Sequence, residues 1–337
     1  MYYSRISLMD KVKVVFLGTS WESVASLEVL HKSDGFDVVC VITMPDRPVG
    51  RKKVLTPTAV KEYCLANDIP VVHTENQKEK YMEVANIYEP DIVVCKAFGE
   101  IVPKEFLEFP KYSCINIHFS ILPKYRGAVP IQKAILDGEK ETGISIMLMS
   151  EGLDEGDVLA IYKENIHEDD TNISLRERLV KKSEEILIPT LRDWIDGKIV
   201  AKKQNDAEAT YCWQSDISKE KAEIKWEEYE PEYIERMVRA FLPWPVAWTR
   251  LEKSQNRSLS NKIMKIFKAE LVDMPNEKDA GTLWSDGEDV FFSTKDKHTC
   301  LKVTELQIEG KNRTDAKEFL NGIGRDITIS YDSHQSS

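Results

Sequence analysis

The first clear pattern along the chain is KVKVVFLG (residues 11–18), an almost unbroken apolar run that stops at a glycine. Such a run predicts a strand buried on both faces. SVASLEVLHK (23–32) then spaces its apolar residues as a helix does, and FDVVCVIT (36–43) predicts a second strand. TPTAVKEYCLAND (56–68) predicts a helix, and IPVVHT, DIVVCKAF and SCINIHF continue as short β-rich runs with helical material between them. Strands alternating with helices at this spacing predict βαβ units and a doubly wound, Rossmann-like parallel sheet. NISLRERLVKKSEEILIPTLRDWIDG (172–197) predicts a long amphipathic helix ending at Gly197.

The pattern changes after about residue 205. SKEKAEIKWEEYEPEYIERMVRAF holds one helical stretch, and then WPVAWTRLE, NKIMKIFKAELVD, GTLWSD, DVFFSTKD and CLKVTELQIEG read as short strands between turn residues. Five or so strands without intervening helices predict a small β-barrel. The boundary falls between 200 and 215, which gives an α/β domain over 10–205 and a β domain over 215–330.

Composition narrows the class. Of 337 residues, 42% are hydrophobic and 31% charged, the range of an ordinary globular protein. The opening MYYSRISLMDKVKVVFLG holds no leader-like apolar stretch, and no later segment has bilayer-spanning length without charges. A cytoplasmic protein without membrane association is expected, with Met9 as an alternative start. The six cysteines (Cys40, Cys64, Cys95, Cys114, Cys212 and Cys300) form no C-x-x-C pair, so buried reduced thiols are expected and no metal. The net charge of −11 argues against nucleic-acid binding by the field of the whole protein. Yet residues 250–268 carry six basic residues and one acid. That run reads equally as a solvated face or as a site for an anionic partner.

The first strand ends in FLGTSWESVA, one glycine where a dinucleotide fingerprint needs three, and no G-x-x-x-x-G-K-[ST] occurs. A hydride-transferring dehydrogenase and a P-loop enzyme are thereby disfavoured. In sheets of this type ligands bind at the carboxyl ends of the strands. Asn116 and His118 fall at such an end, in CINIHF, and strand alternation puts both on one face. A carboxamide and an imidazole aimed together can hold a carbonyl oxygen and move a proton. MSEGLDEGDVLA places Asp154 and Asp157 in a Gly-flanked turn, where one carboxylate can orient His118. A strand-end histidine that merely satisfies a backbone carbonyl is the commoner case, and the residues alone leave both readings open.

NIHFSILPKYRGAVPIQKAI followed by ETGISIMLMSEGLDEGDVL resembles the folate-dependent formyltransferases, whose mark is N-x-H-x-S-x-L-P-x-[aromatic]-R-G with a later Asp in a G-L-D-x-G turn. The resemblance extends to TMPDRPVGRKKVLTPTAVKEYC, SKEKAEIKW, VRAFLPWPVAW and LQIEGKNRTDAKEFLNG, and so covers residues 11 to 323. It implies transfer of a formyl group from 10-formyltetrahydrofolate to an amine. The acceptor it implies is the α-amine of methionine on initiator methionyl-tRNA, with a nucleotide-linked amino sugar as the alternative. A tRNA-binding protein that has lost folate chemistry is a third reading, opposed by the intact Asn116, His118 and Asp154.

Several roles follow from the resemblance alone. Asn116 and His118 stabilise the oxyanion, Asp154 pairs with His118 and carries protons through a water, and Asp157 shapes the loop. Ser120, Leu122 and Pro123 line the folate pocket together with the loop Ala97–Phe98–Gly99–Glu100–Ile101. Arg47, Arg51, Lys52 and Lys53 meet the end of the acceptor stem, and Lys262 and Lys265, in a domain resembling an OB barrel, hold its backbone. A monomer is expected. Two departures from the family pattern are Ser20–Trp21–Glu22, where Pro-x-Phe is common, and a charged Lys96 where an apolar residue is usual.

Overall fold

A computed structural model describes residues 11–50, 52–75, 77–252, 256, 258–325 and 327–330; Met9 and Arg51 lie outside them. In chain order it begins with β1 (Val12–Gly18), α1 (Trp21–His31), β2 (Phe36–Ile42), β3 (Arg47–Val49), β4 (Val54–Thr56), α2 (Ala59–Ala66) and β5 (Val71–Val72). Next come α3 (Lys78–Tyr88), β6 (Ile92–Lys96), α4 (Lys104–Leu107), β7 (Cys114–His118), β8 (Arg126–Gly127) and α5 (Pro130–Leu136). These are followed by β9 (Glu141–Leu148), β10 (Val158–Asn165), α6 (Asn172–Ile195), β11 (Tyr211–Cys212) and α7 (Pro231–Ala240). The chain finishes with β12 (Trp248–Arg250), β13 (Ile263–Asp273), β14 (Leu283–Ser285), β15 (Val290–Ser293), β16 (Thr299–Ile308), β17 (Thr314–Asp315), α8 (Ala316–Ile323) and β18 (Thr328–Ile329).

Two compact units result. One takes residues through Gly127 with 143–164 and 177–211; the other takes 128–142, 165–176 and 212 onward. The short segment holding α5 joins the second unit because α5 packs on α7, where Arg236 Nε donates to Leu136 O at 2.8 Å.

The first unit is built on a seven-stranded sheet of order β10-β9-β7-β6-β1-β2-β5. β1 pairs in parallel with β2 and β6, β2 with β5, and β6 with β7, whereas β9 runs antiparallel to β7. The apolar runs explain this order. Val14 to Leu17 of β1 and Ile92 to Val94 of β6 are wholly buried, as strands covered on both faces must be. One face carries Val15, Leu17, Cys40, Ile42 and Val93 against Tyr81, Val84 and Phe106. Each fully buried Val, Leu or Phe contributes about 1.5–3 kcal/mol. From β1 the chain winds outward through β2 and β5, then crosses back to β6 and β7. That reversal puts a topological switch point at the carboxyl ends of β1 and β6, the usual ligand site of such sheets.

The second unit is organised by a curled antiparallel sheet of order β12-β13-β16-β15-β14-β18, with β17 paired to β16. The two longest strands run along stretches that the sequence marks: β13, with 11 residues, lies within NKIMKIFKAELVD, and β16, with 10, follows CLKVTELQIEG. The register slips around Lys268, which bends the β13–β16 ribbon. Beyond the ends of the outer strands, Glu252 N donates to Ser330 O at 3.1 Å and draws the sheet toward closure. The interior is filled by Trp226, Met264, Ile266, Leu283, Phe292, Leu301 and Val303.

Candidate active site

At the carboxyl end of β7, alternation turns Asn116 and His118 to the same face, with Asn116 beside Cys95 of β6. His118 is 6% exposed. Its Nε2 lies 2.9 Å from Tyr125 O, and since a carbonyl only accepts, Nε2 bears a hydrogen. Nδ1 faces Asp154 Oδ2 at 3.5 Å. The histidine therefore satisfies a backbone carbonyl with one nitrogen and meets a carboxylate with the other. The two readings that the sequence left open are compatible.

Asp154 lies in the turn between β9 and β10 with φ +52°, a left-handed conformation that costs about 1–2 kcal/mol for a non-glycine residue. Its Oδ1 accepts from Asn116 Nδ2 at 3.1 Å, and its Oδ2 accepts from Gly127 N at 2.9 Å. Asn116, His118 and Asp154 are thus brought together. The Gly127 amide is a member that the sequence reading did not assign. The one signal was an obligatory glycine: Gly127 has φ +121°. Gly156 is required for space. A Cβ there would stand 1.9 Å from Leu148 O, and Leu148 N itself donates to Asp157 O at 2.9 Å. Asp157 accordingly serves the loop through its backbone. Gly156→Ala is expected to lower stability by about 1–3 kcal/mol and to lower turnover, as read from the thermal midpoint and kcat.

The stretch after His118 is pinned by its own hydroxyls. Ser120 Oγ donates to Lys124 O at 2.6 Å, Ser145 Oγ donates to Ser120 O at 2.7 Å, and Leu122 N donates to Ser145 Oγ at 3.1 Å. Leu122 packs on Met147 and Val158, and the Leu122–Pro123 bond is cis. Ser120 and Leu122 therefore shape this loop from within.

Across the crevice, the loop after β6 turns through Ala97 (φ +46°) and Gly99 (φ +103°). Thr19 Oγ1, from the loop after β1, donates to Phe98 O at 2.8 Å. Glu100 Oε2 accepts from Thr74 Oγ1 at 2.5 Å and Tyr81 OH at 3.0 Å. Phe98 is buried in the core and Ile101 is exposed. Thr74 and Tyr81 anchor this loop, and no local pattern announced them, since they approach from distant segments. Lys96 is accommodated beneath it: Nζ lies 2.8 Å from the Phe119 ring centroid and 3.3 Å from Ile117 O. Burial pushes the neighbouring Cys95 thiol up to about 12, so it is protonated and unreactive at neutral pH.

The basic stretch that holds Arg47, Lys52 and Lys53 belongs to a hairpin. β3 and β4 pair as its two strands, Arg47 with Thr56 and Val49 with Val54. Arg47, Lys52 and Lys53 are exposed, as are Val49, Val54 and Leu55. Lys61 clamps the base of the hairpin by a bond to Asp46 at 2.8 Å. In the second unit, Lys262 precedes β13 and Lys265 lies within it, between Trp248 and Gln307. Among the described residues no group of three metal-ligating side chains converges.

A doubly wound sheet that gathers an Asn, a His and an Asp at the carboxyl end of β7, next to the switch point between β1 and β6, has the equipment of an enzyme acting on a carbonyl group. Residues 12–191 match the formyl transferase family, and residues 216–324 match the formyl transferase C-terminal domain. The chain belongs to the formyl transferase family. It is 42% identical over 319 residues to the methionyl-tRNA formyltransferase of Halalkalibacterium halodurans, covering 94% of this chain and 97% of that protein. It is equally 42% identical, over 318 residues, to that of Bacillus thuringiensis subsp. konkukian. Among solved structures, an N-formyltransferase from Helicobacter canadensis bound to folinic acid and dTDP-3-aminofucose superposes with a TM-score of 0.63. That match is 22% identical and covers 87% of this chain and 99% of the other. HypX from Aquifex aeolicus in complex with tetrahydrofolic acid gives a TM-score of 0.58 at 17% identity, over 92% of this chain and 47% of that one. At these identities the two structures establish a shared fold.

Proposed function

We propose that this protein transfers the formyl group of 10-formyltetrahydrofolate to the α-amine of methionyl-tRNA, with residues 10–205 as the catalytic domain and 215–330 as the tRNA-binding domain. The observation that carries the reading is the closed Asn116–His118–Asp154 cluster in a chain resembling methionyl-tRNA formyltransferases along nearly its whole length. The amine nitrogen attacks the formyl carbon, a C–N bond forms, and the carbonyl oxygen becomes an oxyanion. Asn116 has a second N–H to donate to that oxygen. A proton from the amine passes to the His118–Asp154 pair, and the imidazole becomes a cation while the negative charge builds. Returning that proton to N10 of the folate breaks the old C–N bond and releases tetrahydrofolate. Every proton is thereby conserved.

Gly99 and Ile101 face the donor from one side, backed by the buried Phe98, and the loop of Ser120, Leu122 and Pro123 does so from the other. Arg47, Arg51, Lys52 and Lys53 meet the acceptor-stem end, with exposed Val49 and Leu55 adding apolar area. Lys262 and Lys265 hold the backbone. The enzyme acts as a soluble monomer in the cytoplasm.

The test is a formylation assay with one folate donor, comparing initiator with elongator methionyl-tRNA. Formylation of the initiator is expected; activity confined to nucleotide-linked amino sugars would replace this acceptor with the other. Lys262→Glu with Lys265→Glu is expected to raise KM for tRNA about tenfold or more at low salt, leaving KM for the folate donor unchanged. An unaltered tRNA KM would reduce that patch to a solvated face.

A further inference from the structure

Gln204, in the extended segment before β11, is buried, and its carboxamide is saturated. Nε2 donates both hydrogens, to Asp154 O at 2.8 Å and to Gly156 O at 2.7 Å. Oε1 accepts from Arg126 Nε at 3.1 Å and Nη2 at 3.0 Å. A carboxamide has two donors and one doubly accepting oxygen, so nothing is left over. Its orientation is also fixed. Turned over, the NH2 would face guanidinium donors and the oxygen would face two carbonyls. Arg126, 1% exposed, is held in turn by Asp206 Oδ1 at 2.7 Å and the Tyr211 hydroxyl at 3.2 Å. Two residues before Gln204, Lys202 exchanges backbone bonds with Val158 at 2.8 and 2.9 Å. The segment is thereby tied to the strand that follows the Asp154 turn.

We propose that Gln204 is a positioning residue for the reaction, acting through Asp154. It grips the carbonyls on either side of Glu155 and keeps Asp154 in its left-handed conformation, with the carboxylate between Asn116, Gly127 and His118. This rests on the catalytic reading of Asp154 given above. Without those two hydrogen bonds the turn has a lower-energy backbone to relax into. A carboxylate displaced by about 1 Å costs on the order of 100-fold in rate. Arg126 acts one step further out, by setting which face of the amide meets the turn. Because β8 also contains Gly127, one dipeptide supplies the backbone donor to the carboxylate and the guanidinium that orients its holder.

Two variants test this. Gln204→Glu keeps the pairing with Arg126 but offers no hydrogen to the carbonyls, and Gln204→Met keeps the volume and loses both sets of bonds. Each is expected to lower kcat on the order of 10- to 100-fold, with KM for the folate donor and for methionyl-tRNA within about twofold of wild type. In an Asp154→Ala background, single-turnover rates should show no further loss from either variant, since the holder has nothing left to place. The same fold-loss with and without Asp154, or wild-type kcat in both variants, would overturn the proposal. So would thermal midpoints so low that both variants are unfolded at assay temperature, for Gln204 would then be a determinant of folding. Wild-type turnover in Asp154→Ala by itself would instead remove the catalytic reading.

Discussion

His118→Ala is expected to lower kcat about 1,000-fold, equivalent to about 4 kcal/mol in the transition state. The size follows from how the ring is held. Nε2–H is committed to Tyr125 O at 2.9 Å, and Nδ1 faces Asp154 Oδ2 at 3.5 Å, so both nitrogens have fixed partners and the ring cannot turn without losing one. On the proposed mechanism, removing the imidazole takes away the charge that balances the oxyanion and the carrier of the amine's proton together. The carboxylate of Asp154 keeps its bonds from Asn116 and Gly127, so the loop survives and substrate affinity with it. The expected signature is a lowered kcat with nearly unchanged KM for both substrates. Adding Asp154→Ala should cost far less than it does alone, because the two side chains act as a unit. Turnover within tenfold of wild type in His118→Ala would contradict the mechanism.

Trp226→Ala is expected to destabilise the second unit by about 3–5 kcal/mol. Trp226 has no exposed surface, and its ring stacks on Phe292 at 4.6 Å between centroids. Its Nε1 donates to Thr249 Oγ1 at 2.9 Å, and Thr249 is itself wholly buried. Truncation opens a cavity beneath the curled sheet and removes a hydrogen-bond partner from a buried hydroxyl, two separate penalties. Trp226→Phe separates them. It retains most of the packing against Phe292 and still abandons Thr249, for an expected loss of about 1–3 kcal/mol. Urea denaturation reads both penalties: the gap between the two variants gives the cavity, and a Trp226→Phe midpoint equal to that of the wild type would show that the hydrogen bond contributes nothing.

The sheet of the first unit was legible because buried parallel strands are written as continuous apolar runs: KVKVVFLG and DIVVCKAF became β1 and β6. The strand that carries Asn116 and His118 was legible for a second reason, that two residues apart on a strand means one face. Other features depended on contacts between distant segments, which leave no local period. Gly127 meets Asp154, Thr74 and Tyr81 meet Glu100, and Gln204 meets a turn some fifty positions earlier. The hairpin at Arg47–Thr56 was hidden because strands of three residues are too short to show alternation. β13 was legible along its whole length within NKIMKIFKAELVD, but nothing in that run announced the register shift beside Lys268. Lys96 broke a pattern without breaking the fold, since its side chain finds an aromatic face.

All six cysteines are buried and unpaired as disulfides. Burial raises the thiol of Cys64 to about 11 and that of Cys40 to about 12, and it pushes Cys114 and Cys300 up as well. The native chain is therefore nearly silent to alkylating reagents at neutral pH. A cysteine placed at the exposed Lys53 of the hairpin would react far ahead of the rest, so one fluorophore could be attached there without first stripping the native thiols. Its emission would then show whether the hairpin is approached at all during a catalytic cycle, and at which step.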